Sequence, residues 1–224
     1  MNMEKKFELT DNFIINAFGV KLFQIKCTKS FKYAKEGDLG GYVEKDENLD
    51  QESDAWVYGN AWVSGNARVY GNAEVYGNAW VYGDARVYGN AEVYGNAEVY
   101  GNAWVYGDAR VYGNAEVYGN AEVYGNAWVY GDAWVYGNAW VSGDADIEND
   151  NEHCGFDGFG SCNRHTHAYM TKEKKVEIIC GCFRGSIEEF EKKVEETHSG
   201  TVYEKQYKSI INVIKIKFGL TDFT

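Results

Sequence analysis

The 224-residue chain has no proline. Its histidines are few and confined to positions 153, 165, 167 and 198. Positive charge is also short: 22 Lys and Arg stand against 34 Asp and Glu, a formal charge of −12. That balance excludes a general affinity for a phosphate backbone, which needs clustered Lys and Arg. It also argues against docking on an anionic membrane surface. No run approaches the ~20 apolar residues of a membrane span, and the opening MNMEKKFELTDNF carries no leader-like apolar stretch. Cysteine is sparse and odd in number, at 27, 154, 162, 180 and 182, which does not make a disulfide framework. A reducing cytoplasm is therefore the expected compartment.

What is abundant is one six-residue unit, A-x-V-Y-G-(N/D), over about fifteen consecutive copies between residues 55 and 148. Residues 79–102 recur letter for letter as 103–126. Six residues are too few for a helix pair, and six divides evenly by the strand period of two. The alternation predicts Val and Ala inside, with x and Tyr outside. Gly-Asn then makes a corner, since both residues tolerate φ > 0. Stacked coils would pair each strand with the coil above and below and so satisfy the backbone.

The order V-Y-G-N-A-x resembles the hexapeptide repeat of left-handed parallel β-helix proteins, in which three hexads make a triangular coil of 18 residues. The resemblance implies left-handedness and about five coils, a rod ~24 Å long at ~4.8 Å per coil. A three-hexad coil gives each wall a mixed ladder: Trp56, Glu74, Glu92, Arg110, Trp128; then Trp62, Trp80, Glu98, Glu116, Trp134; then Arg68, Arg86, Trp104, Glu122, Trp140. A four-hexad coil would instead align Trp56, Trp80, Trp104 and Trp128. The duplicated block has a period of four hexads, out of step with the triangular coil. It reads as a tandem duplication that lengthened a frame. The outward tyrosines read as ladders that stabilise the sheets or as a surface for self-association.

The flanks divide the chain into 1–54, a β-rich N-terminal cap; 55–148, the β-helix; and 149–224, a small α+β unit. In the cap, Asn16 to Gly19 is a hairpin turn between Phe13–Ile15 and Val20–Ile25, and Tyr42-Val43 resembles a repeat rung. In the third unit, a hairpin turns at Lys172–Lys175. Ser186 and Glu189 form a capping box ahead of a helix that buries Ile187, Phe190 and Val194. A second helix follows from the spacing of Tyr203, Tyr207, Ile210, Ile211, Ile214 and Phe218. The N-terminal Leu22–Ile25, Asp38–Glu44 and Glu47–Leu49 resemble the start of YdcK-like hexapeptide proteins. Gly160-Ser161, Gly181–Phe183, Gly185, Glu189-Phe190, Val194 and Thr197-His198 resemble a C-terminal domain of phage- and prophage-encoded proteins. Where that pattern has Arg after Gly-Ser, this chain has Cys162. These resemblances imply a fold and a phage origin, with the host cytoplasm as compartment, and no reaction.

Many hexapeptide proteins are acyltransferases with a histidine base, and some are anhydrases with three zinc-bound histidines. This array has neither histidine nor an interrupting loop, so an enzyme of that type is not expected. His153, Cys154, Cys162, His165, His167, Cys180 and Cys182 gather in the third unit, but their spacing matches no zinc finger or ribbon. Neither metal nor cofactor is expected. The expectation is a non-catalytic scaffold that self-associates as a trimer or dimer and presents its C-terminal unit to a partner. The alternatives are capture of a small nucleotide or phosphorylated signal, and a transferase. The candidate ligand-binding residues are Arg164, His165, His167, Arg184 and His198.

Overall fold

The computed structural model describes residues 5–221, so the first four residues of the MNMEKKFELTDNF stretch lie outside the described residues. Strands β1 (Phe7–Ile15), β2 (Lys21–Cys27) and β3 (Leu39–Val43) precede sixteen two-residue strands. These are β4 to β19, one per hexad, from Trp56–Val57 to Asp146–Ile147. An antiparallel sheet follows, β20 (His153–Phe159), β21 (Arg164–Met170), β22 (Val176–Cys180) and β23 (Phe183–Ser186), then α1 (Ile187–His198) and α2 (Val202–Lys217).

The coil contains three hexads. Trp80 pairs in parallel with Glu98, and Glu98 with Glu116, each eighteen residues on. All three mixed ladders take the predicted register, and the four-hexad coil is excluded. The alternation also holds: the array's valines and alanines are buried throughout. Each coil hands its backbone donors to the next, as in Trp80 N–H to Ala97 O, Tyr82 N–H to Val99 O and Asp84 N–H to Gly101 O, at 2.8–3.0 Å. The core is therefore a narrow column of small aliphatic side chains inside a closed cage of hydrogen bonds.

The corner glycine is required twice over. Gly95 has φ +75°, a region that L side chains avoid, and a Cβ placed on it would lie 2.9 Å from the backbone nitrogen of Gly113. Around the corners Asn Nδ2 donates to the Oδ1 one coil on, as in Asn60 to Asn78 to Asn96 to Asn114 to Asp132, at 2.9–3.2 Å.

The solenoid has about six turns, one more than the hexads alone count. Tyr42-Val43 pairs with Trp62-Val63, Leu49 bridges to Val69, and Asp146-Ile147 adds a final rung beyond Trp128-Val129. The β1–β2 hairpin turns where expected, with Asn16 Oδ1 accepting from the N–H groups of Phe18 and Val20. Through β3 it extends one wall into an eight-stranded sheet whose outer edge is β1. The capping box at Ser186 and Glu189 is formed, with both reciprocal bonds. No helix among the described residues is long and apolar enough to cross a membrane.

The tyrosines are less open than their outward direction suggests. Successive rings stack within each wall, as in Tyr76–Tyr94–Tyr112 at 4.7 and 4.8 Å and nearly parallel. The five glutamates at x positions each accept a hydroxyl from the coil below: Tyr58 to Glu74, Tyr76 to Glu92, Tyr82 to Glu98, Tyr100 to Glu116 and Tyr106 to Glu122, at 2.8–3.0 Å. Burial and these carboxylates raise the pKa of the bonded phenols. Two hexads have Ser in place of Tyr, and both mark docking points. Beside Ser64, Phe18 of the hairpin tip reaches Trp62 and Tyr82, at 6.3 and 5.4 Å. At Ser142, which is fully buried, the Tyr169 hydroxyl of the C-terminal unit lies 3.5 Å away.

Candidate functional site

The C-terminal unit sits on the last coil and shares its core, with Tyr169 and Ile179 joining the aliphatic column. The three corners of that coil fare differently. The Glu148 backbone lies over Gly131 and the Arg184 guanidinium over Gly143, whereas nothing lies within 4 Å of the Cβ direction of Gly137. A cleft of about 290 Å³ opens there. Tyr136, Gly137 and Ala139 form one side of it. Asp150 comes from the 3-10 turn Asp150–Glu152, His153 and Cys154 from the start of β20, His165 and His167 from β21, and Lys217 from the end of α2.

The three histidines form a directed network. The Trp140 carbonyl can only accept, so His167 Nδ1–H donates to it at 3.0 Å. His167 is almost wholly buried, and burial together with neighbouring His153 pushes its pKa down to about 3. Its Nε2 is thus an acceptor and takes the His153 Nδ1–H at 3.1 Å. His165 Nδ1–H donates to Asp157 at 2.8 Å, and this bond holds the Asp157 carboxyl below its ordinary range. Two atoms are left over: Nε2 of His153 and Nε2 of His165 are buried without a partner. Burial also lowers the His153 pKa, so its bare Nε2 faces Asp150 Oδ1 at 3.7 Å, acceptor against acceptor. Cys154 is pushed up to about 11 by burial, a thiol rather than a nucleophilic thiolate at neutral pH. Lys217 Nζ donates to Asp150 O at 3.0 Å.

Of the five residues singled out from sequence, the cleft brings together only His165 and His167. Arg184 pairs with Glu177 at 2.7 Å, which also accepts from the buried Tyr169 hydroxyl. Arg164 lies against Gly181, on the side of the sheet where Cys180 meets the Tyr207 hydroxyl at 3.7 Å. His198 ends α1 and stacks on Tyr207 at 5.5 Å. Sequence reasoning placed His153 in a cysteine–histidine cluster but not among the ligand residues, and it missed Tyr136, Asp150 and Lys217. Ser142, the missing tyrosine next to a histidine-rich strand, was the available signal. All five cysteines are free, and among the described residues no group of three His, Cys, Asp or Glu is placed to hold a metal ion.

A larger cleft, about 610 Å³, lies at the other end, where Asp46, Glu47, Asp50 and Glu52 face Arg68 and Arg86. It is charged on both sides, and its polar side chains are not among those buried without partners. The C-terminal cleft has less volume, and its lining includes the two histidines whose Nε2 atoms are buried without partners.

The model of the YdcK beta solenoid repeat matches residues 67–83, 79–95, 103–119 and 121–137. No curated protein matches the chain. The matched segments are rungs of the six-turn column, so the array is a β-solenoid whose repeats are similar to those of YdcK.

Proposed function

We propose that this chain is a non-catalytic solenoid scaffold of the phage or prophage type, which self-associates at one end and presents its C-terminal unit to a partner at the other. The observation that supports self-association is β1. It is a nine-residue strand at the outer edge of an eight-stranded sheet, bonded to the Gln51 side chain at Phe7 and with Phe13 and Ile15 half or more exposed. Such an edge is a template for a second strand, and pairing of β1 with its own copy closes a two-fold dimer. The tyrosine walls contribute less, because their rings already stack on one another. Six coils hold this edge away from the C-terminal unit, and no loop interrupts them. Light scattering at micromolar concentration should return the mass of a dimer, and Phe13→Lys with Ile15→Lys should return a monomer. A wild-type monomer sinks the reading.

Capture of a small ligand in the C-terminal cleft is a second reading, favoured by the two imidazole nitrogens buried without partners. A phosphorylated signal fits it less well. Asp150 and Asp157 outnumber Lys217 in the cleft, and neither Arg164 nor Arg184 lines it.

A further inference from the structure

Tyr70 stands outside the tyrosine–glutamate pairing of the walls. The residue sixteen positions on is Arg86 instead of a glutamate. The Tyr70 hydroxyl makes no hydrogen bond among the described residues, and it is not among the atoms buried without a partner. Burial raises the pKa of its phenol, and the guanidiniums of Arg86 and Arg68 oppose that rise from close by. Arg68 and Arg86 are themselves direct partners on adjacent strands, ~4.8 Å apart along the wall. Like charges so placed repel. The third array arginine, Arg110, pairs with Glu92 at 3.2 Å. The Arg86 guanidinium has the ring of Trp104 at 5.0 Å. Neither it nor that of Arg68 makes a hydrogen bond or ion pair among the described residues.

Both arginines are exposed, and with Tyr70 they form one side of the larger cleft, about 610 Å³. Three accessible donor groups thus converge without an acceptor. The opposite side is acidic. Asp46 is held by Lys5, and Asp50 Oδ2 accepts from the Ser53 N–H at 3.0 Å. The side chains of Glu47 and Glu52 are exposed and make no hydrogen bond or ion pair among the described residues. Among those residues no arginine–carboxylate pair closes across the cleft. A lone anion would meet the carboxylates there, and a lone cation the guanidiniums. A molecule that carries both charges satisfies both sides. We propose that the larger cleft binds a small zwitterion of the amino-acid or short-peptide class, its carboxylate held by Arg68, Tyr70 and Arg86 and its ammonium set towards Glu47 and Glu52. A planar carboxylate matches the guanidinium fork and takes the tyrosine hydroxyl as a further donor. Its charge also relieves the repulsion between the two arginines.

The full chain should be titrated by calorimetry at low salt with trialanine, N-acetyl-trialanine, trialanine amide and inorganic phosphate. Trialanine is expected to saturate. Loss of its carboxylate in the amide, or of its ammonium in the acetyl form, should each weaken binding about tenfold or more. Arg68→Gln should weaken trialanine by a similar factor. Its melting temperature without peptide should stay level or rise, because one of two like charges is gone. Tyr70→Phe keeps the ring stack and should weaken binding less. Trialanine that fails to saturate would overturn the proposal, as would binding that ignores Arg68→Gln. Phosphate or N-acetyl-trialanine binding as tightly as trialanine would overturn the role of the ammonium. A lower melting temperature for Arg68→Gln would overturn the reading of the arginines as a repelling pair.

Discussion

The solenoid and the C-terminal unit satisfy their polar groups in opposite ways. In the coils the repeated positions meet their own kind eighteen residues on, as in Val99 on Val117, Tyr100 on Tyr118 and Asn102 on Asn120, and only the x positions mix. One local rule, repeated, leaves no buried polar atom of the array without a partner among the described residues. In the C-terminal unit buried polar groups are paired one by one, as His167 is with Trp140 and Tyr169 with Glu177. Individual pairing leaves remainders, here the Nε2 atoms of His153 and His165.

Glycine substitution breaks this comparison most sharply. Gly95 and Gly200 share φ +75°, but a Cβ on Gly95 meets the next coil, whereas one on Gly200 meets nothing within 4 Å. Gly95→Ala should cost about 3 kcal/mol or more in urea unfolding, and Gly200→Ala about 1 kcal/mol. Equal losses would show that coil contact does not matter.

Acid should then separate the two regions. The array has no histidine, whereas His167 titrates at about 3 folded against 6.5 unfolded. The unfolded chain takes up this proton first. The contribution of His167 is thus intact above about pH 7 and is lost at ~1.4 kcal/mol per pH unit as pH falls from 6.5 towards 3. Burial of His153 acts in the same direction. Hydrogen exchange should show the C-terminal unit opening before the coils, and His167→Leu should flatten the slope. A slope that survives His167→Leu would place the acid sensitivity elsewhere.

The smallest effect tests the glutamate–tyrosine bonds. Glu98→Ala removes the acceptor of Tyr82 on a part-exposed wall and should cost about 0.5–1 kcal/mol. The Tyr82 phenol should then titrate at lower pH, read by ultraviolet absorbance. An unmoved titration would mean that the stacked rings alone hold the phenol up.

The array was legible because its rules are local. A period of six, an alternation of two and a turn-permitting glycine give short strands joined by corners, and the eighteen-residue coil that sets the ladders came from the resemblance to hexapeptide β-helices. The helix at Ser186 was legible for the same reason, since its capping box spans four residues. The cleft was not. It depends on which corner of the last coil the C-terminal unit leaves uncovered, a tertiary outcome that no spacing in residues 149–224 encodes. The outward direction of the tyrosines was read correctly from alternation, but their burial was not, because it arises from neighbours a full coil away.

The duplicated block acts as a gear. Four hexads on a three-hexad coil amount to one full turn and one further wall. Adding or deleting 24 residues would therefore move the C-terminal unit ~6.4 Å along the axis. It would also swing that unit about a third of a turn around the axis. Slippage in this repeat changes the direction in which the cleft faces as well as its distance from the edge strand.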